Sequence, residues 1–154
     1  MLKRICALSL LCVSQWAMAA ELSQGSTVVA TSLLDQHEQV QQISSESRYV
    51  LFSRGMKGGE LIQAAFEQSP EIAKSNQVLY VADISGMPGL IAKFVAIPRM
   101  QELAYTVALD REGQQTTDFP AEKDKATIIT LNNLVVTDIQ FVDSSDAIVQ
   151  IVKL

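Results

Sequence analysis

Past Cys12 the sequence contains no cysteine, past Trp16 no tryptophan, and His37 is its single histidine. Each scarcity removes a chemistry. A zinc-type centre needs three or four converging ligands, so the pairing of His37 with Asp35 reads as a polar hairpin turn and no metal is expected. Cations are also few, 12 Lys and Arg against 17 Asp and Glu, for a net charge of −5. A chain without a basic stripe is poorly suited to nucleic acid, whose binding rests on neutralising phosphates. It also lacks the cationic amphipathic helix that gives stable membrane association. No Gly-x-Ser-x-Gly surrounds Ser53 or Ser85 to make a nucleophile. Neither nucleotide-binding glycine pattern is present, and no cofactor is expected.

Lys3 and Arg4 precede an apolar stretch from Ile5 to Val13, and Ala17 and Ala19 stand at −3 and −1 before Ala20. That is the three-part layout of a secretory signal peptide. The stretch is shorter than the roughly 20 residues a spanning helix needs. Leu11 before Cys12 argues against a lipid-anchored form. The reading is a signal peptide over 1–19, a single domain over 20–154 and a periplasmic location. Cleavage removes both cysteines and the tryptophan. It also takes Lys3 and Arg4 from the 12 cations, leaving 10 against 17 acids, a net of −7.

The hydrophobic periods alternate along the remainder. The β-branched run 27–33 and the short run 39–43 flank Asp35-Gln36-His37-Glu38 as a β-hairpin. YVLFS at 49–53 and QVLYVAD at 77–83 read as buried strands, central, adjacent and parallel. Leu61, Ile62, Ala65 and Phe66 are spaced as one face of a helix, and so are Leu90, Ile91, Phe94 and Val95. Both sets are expected to pack on the sheet, and Pro98 to end or bend the second helix. Residues 106–109, 126–131 and 135–142 read as further strands, 115–119 as an antiparallel return, and 143–145 as the cap of a last helix. Strands alternating with helices and finishing antiparallel predict an α/β mixed sheet with helices on both faces.

SLLDQHEQVQQISSESRYVLFSR resembles the entry to thioredoxin-like proteins of the peroxiredoxin and thiol-disulfide oxidoreductase type, where a hairpin precedes the first core strand. YTVALDREGQ is similar to their later strand, which runs through an aspartate into a glycine turn. Taken whole, the sequence resembles small periplasmic families with such a domain that lack the redox cysteines. The resemblance implies a thioredoxin-like fold and places the redox pair among Gly55, Met56, Lys57, Gly58 and Gly59, where no thiol stands. It places the cis-proline that faces the pair near Ala104, where the preceding bond is expected to be trans.

Neither thiol-disulfide oxidoreductase nor peroxidase activity is therefore expected. The favoured reading is a redox-inactive module that binds a peptide, protein or small anion at the former active-site edge. Its candidate binding residues are Arg54, Met56, Lys57, Gly58, Gly59, Asp83 and Tyr105. In this reading the 54–59 turn and the loop before Tyr105 meet at one sheet edge. The competing reading is an enzyme with a non-thiol site built on Asp83 and Asp110, or with a bound cofactor. Aspartates at strand ends also simply cap turns.

Overall fold

The structure, a computed structural model, describes residues 20–154; the leader read at 1–19 lies outside the described residues. Seven strands form: β1 (Ser32–Asp35), β2 (Val40–Gln42), β3 (Tyr49–Arg54), β4 (Val78–Asp83), β5 (Ala108–Asp110), β6 (Ala126–Asn132) and β7 (Val135–Val142). They make one mixed sheet in the order β2-β1-β5-β4-β3-β6-β7. The two buried apolar runs are its centre, parallel and in the register Tyr49 opposite Val78 and Phe52 opposite Val81. β1 and β2 form the expected N-terminal hairpin. It is shorter than the β-branched run, of which Thr27 contributes only an isolated bridge to Val135.

Residues 115–119 are a turn and not a strand. Thr116 donates both its N–H and its Oγ1 hydroxyl to Asp110 Oδ2, each at 2.8 Å. Those bonds curl the chain, so that Phe119 folds edge-on against Phe52 at 5.2 Å between ring centres.

The helices are α1 (Met56–Gln68), α2 (Pro70–Lys74) and α5 (Ser145–Ile151), with a composite helix over 89–101. The composite runs as α3 (Gly89–Ile91), a π-helical segment (Ala92–Ala96) and α4 (Ile97–Gln101). The Ser144 hydroxyl caps α5 by accepting from the Ala147 N–H, in the place the 143–145 signal indicated.

Two expectations are corrected. Among the described residues the helices pack on one face of the sheet and not on both. Tyr49 and Leu51 of β3 share one cluster with α1, α2, α5 and the inner residues of the 89–101 helix. Val50 and Phe52 point to the other face, which is covered by Leu22, Val28, Ile43 and Phe119 from extended and turn segments. The steps from β3 to β4 and from β4 to β5 cross the sheet in one direction, and right-handed crossovers then place both helices on one face.

The second correction concerns which stripe packs. On α1 the expected residues do so: Ile62 and Phe66 are buried and Leu61 half-buried, each full burial contributing about 1.5–3 kcal/mol. On the 89–101 helix Leu90, Ile91 and Phe94 face solvent, and Ala92, Ile97 and Met100 pack inward instead, with Leu103 just beyond its end. Pro98 has no N–H to give to the Phe94 carbonyl as an α-helix would require. The helix widens into the π segment, where Ile97 N–H donates to the Ala92 carbonyl, and this insertion shifts the face that meets the core.

Candidate functional site

The sheet's C-terminal edge is where β3 and β4 end side by side, Arg54 opposite Asp83. The chain leaves β3 through Gly55, whose φ of 106° is a conformation that side-chain-bearing residues rarely adopt. α1 starts at the next residue with no side-chain cap on its first N–H groups. Met56 and Lys57 project into solvent. Gly58 turns inward, so close to the sheet that a Cβ there would lie 2.5 Å from the Lys125 carbonyl oxygen. Under Gly59, Ser53 Oγ and Tyr80 Oη form a buried hydroxyl pair at 3.0 Å. Burial raises the Tyr80 pKa, and the Ser53 hydrogen bond only partly offsets it.

Of the two cations expected to be free at this edge, Arg54 is engaged. Its Nε donates to Asp83 Oδ2 at 2.9 Å and its Nη2 to the Thr116 carbonyl at 2.6 Å, with the guanidinium over the Phe52 ring. Among the described residues Lys57 approaches Glu60, at 3.6 Å, both well exposed. The positive potential of the edge therefore comes from Lys57 and the uncapped helix start.

The two aspartates of the competing reading are occupied by their own turns. Asp83 Oδ1 accepts from the Ser85 N–H and hydroxyl at 3.0 and 2.6 Å. Its burial acts to raise the pKa, but the Ser85 and Arg54 contacts outweigh that and hold it below the ordinary carboxylate value. Asp110 Oδ1 accepts from Gly113 N–H at 2.8 Å and Oδ2 from both donors of Thr116. Carboxylates engaged in this way fix the shape of the turns that follow them. Asp35 is similar: its oxygens accept from His37 N–H, Gln39 N–H and the Gln41 amide. Among the described residues no group of three or more His, Cys, Asp or Glu side chains could hold a metal ion.

Tyr105 is not at this edge, which corrects the expected site. Its ring packs on Phe66 at 4.7 Å, ten residues along α1 from Met56 and so about 15 Å away along the helix axis. Burial, with smaller contributions from Tyr80 and Glu67, pushes its pKa up to about 12. The backbone that faces the 55–59 turn belongs instead to Lys125, just before β6, the strand antiparallel to β3. Ala104 plays no such part, and no described peptide bond is cis. Of the candidate residues, Arg54, Met56, Lys57, Gly58, Gly59 and Asp83 are together; Lys125 and Thr116 complete the edge and were not anticipated. A cavity of about 340 Å3 lies at the other end of β4, lined by Ser47, Lys74, Asn76 and Val78 among others. It is remote from the 55–59 turn and largely polar.

No protein-family model matches the chain, and no curated protein matches it. Among solved structures the similarity is broad. Peroxidoxin BcpB from Mycobacterium tuberculosis superimposes with a TM-score of 0.54 at 18% identity, over 82% of this chain and 91% of that one. A putative thiol:disulfide interchange protein DsbE from Chlorobium tepidum gives 0.56 at 20% identity, over 84% and 95%. StoA from Bacillus subtilis gives 0.56 at 7% identity, over 80% and 96%. At these identities the likeness concerns architecture, and the fold is thioredoxin-like.

Proposed function

We propose that this protein is a redox-inactive thioredoxin-like module, exported to the periplasm, that binds a peptide or protein segment at the sheet edge formed by the 55–59 turn and the Lys125 backbone. The observation that carries the reading is the turn itself. It keeps a close fit, Gly58 against the Lys125 carbonyl, and an outward-facing Met56 and Lys57, while no thiol stands in it. Extended chains are commonly held beside a sheet edge by backbone pairing, which needs no cysteine. With Arg54 tied to Asp83, the cation left to a small anion there among the described residues is Lys57, itself in loose contact with Glu60, so a peptide with backbone groups to offer is favoured over a bare anion. Lys57 and the helix start favour acidic side chains in that peptide.

The test is an amide-resolved NMR titration of the purified protein with an extended Glu-rich peptide, run beside an insulin disulfide reduction assay. Expected are shifts at 55–59 and 121–125, weakened by salt and by Lys57→Ala, and no catalytic reduction. Catalytic insulin reduction, or a titration that leaves those amides unmoved, overturns the reading.

A further inference from the structure

The 89–101 helix carries the most exposed apolar surface in the described chain outside isolated positions. Leu90 is 75% exposed, Ile91 48%, Phe94 66% and Val95 42%. Spaced i, i+1, i+4 and i+5, they form two adjacent rows on one side of the helix, while Ala92, Ile97 and Met100 hold the opposite side to the core. Isolated exposed apolar residues are ordinary; a contiguous stripe of large ones marks a contact surface. The charges carried by the helix itself have one sign, and the nearest acids in sequence are Asp83 and Glu102, just outside its span. From Ile84 to Gln101 the sequence has Lys93 and Arg99 and no acid, in a chain where acids outnumber cations 17 to 12. The Lys93 ammonium lies 5.5 Å from the Phe94 ring centre, at the border of the stripe.

We propose that this ridge docks an acidic amphipathic helix of another protein. Two rows of apolar side chains offer the ridges and groove into which the apolar face of a second helix packs, and Lys93 and Arg99 meet acidic residues flanking that face. A second copy of this chain fits less well. A two-fold contact through the ridge brings each copy's Lys93 and Arg99 against the same residues of its partner, and both copies carry net negative charge. An anionic lipid surface gains about 1 kcal/mol from each of two cations and repels the acidic remainder. The ridge begins after β4 and its partner is read independently of the 55–59 turn, so either reading can fail without the other.

The experiment uses two labelled synthetic amphipathic peptides with the same leucine face, one flanked by glutamates and one by lysines, titrated against the purified protein by fluorescence anisotropy. The glutamate-flanked peptide is expected to bind at least about tenfold more tightly than the lysine-flanked one. Leu90→Ser with Phe94→Ser is expected to remove that binding without lowering Tm. Lys93→Glu with Arg99→Glu is expected to invert the preference, a gain that misfolding cannot imitate. Lys57→Ala is expected to leave ridge binding unchanged. Equal affinity for the two peptides, or none for the acidic one, overturns the proposal. So does a self-association seen by sedimentation that the Leu90/Phe94 double variant abolishes, or binding to phosphatidylglycerol vesicles lost in the same variant.

Discussion

Two helices leave the C-terminal ends of adjacent parallel strands, and their sequences carry the same apolar spacing. After β3, α1 has Leu61, Ile62, Ala65 and Phe66; after β4, the 89–101 helix has Leu90, Ile91, Phe94 and Val95. In α1 the stripe is the core face, with Ile62 fully buried and Phe66 between Tyr80 and Tyr105. In the second helix the stripe is the outer face, and the residues below it are smaller or further along: Ala92, Ile97, Met100. A period of 3.6 identifies a helix and a stripe, but not which neighbour the stripe meets. Where Pro98 forces the π insertion, the inward face rotates off the stripe and the large side chains are left outside.

The comparison breaks most sharply under truncation. Phe66→Ala is expected to lower stability by about 3–5 kcal/mol, the cost of an aromatic-sized cavity, whereas Phe94→Ala changes it by no more than about 0.5 kcal/mol. Paired thermal melts decide it. Equal losses in the two variants would show that the 89–101 helix packs through its stripe after all.

A glycine in each helix separates them again, with opposite signs. Alanine is favoured over glycine by about 1 kcal/mol in a helix interior, and by less at the first helical position, where Gly89 stands. Gly89 has open space around it, so Gly89→Ala is expected to stabilise. At Gly58 the new methyl group would meet the Lys125 carbonyl at 2.5 Å. Overpacking of that kind costs about 1–3 kcal/mol, and Gly58→Ala is expected to destabilise despite the better propensity. A stabilised Gly58→Ala protein would mean that the turn does not press on the 121–125 segment.

How far this was legible depends on what each residue answers to. The β3–β4 pair was readable because runs of four and five consecutive apolar residues between turns, Tyr49 to Phe52 and Val78 to Ala82, have the length and pattern of strands buried at a sheet centre. The facing of the 55–59 turn was not. The strand at 106–109 resembles the relatives' later strand, yet it is β6, at 126–132, that lies antiparallel to β3, and the strand order across a sheet leaves no mark on local pattern. Gln36 shows the same limit. Within Asp35-Gln36-His37-Glu38 it reads as a solvated turn residue, but it is buried, donating to the Tyr105 carbonyl at 2.7 Å and accepting from Val107 N–H at 2.8 Å. Its partners are some 70 residues away, beyond any window of sequence. Arg54 looked free for the same reason, since Asp83 and Thr116 reach it only through the fold.

The aromatic cluster under α1 gives a pH dependence that the exposed ridge lacks. Burial raises the phenol pKa values of Tyr80 and Tyr105, the latter to about 12, against about 10 in the unfolded chain. Their contribution to stability is therefore complete below pH 10 and is lost as pH rises from about 10 towards 12, because the unfolded chain releases these protons first. Chemical denaturation across that range, with tyrosinate absorbance followed in parallel, is expected to show stability falling before Tyr80 and Tyr105 of the folded protein ionise. Ionisation of all tyrosines near pH 10 with stability unchanged would remove Tyr80 from the interior.

The smallest contrast lies within the candidate edge itself, between its two cations. Arg54 is tied to the nearly buried Asp83 carboxylate and to the Thr116 carbonyl, though its own side chain is 40% exposed. Discounted for that exposure, Arg54→Ala is expected to cost about 1 kcal/mol. Lys57, with one loose contact to an exposed Glu60, is expected to cost less than about 0.5 kcal/mol on replacement by alanine. Arg54 then holds the β3 and β4 ends together with the 110–116 turn, and Lys57 is left for a ligand. Lys57→Ala should weaken peptide binding with its Tm intact, and Arg54→Ala should lower Tm whether or not peptide is present. If Arg54→Ala leaves Tm untouched while binding falls, the Asp83 contact is not what occupies that guanidinium in solution, and Arg54 rejoins Lys57 as a ligand-binding residue.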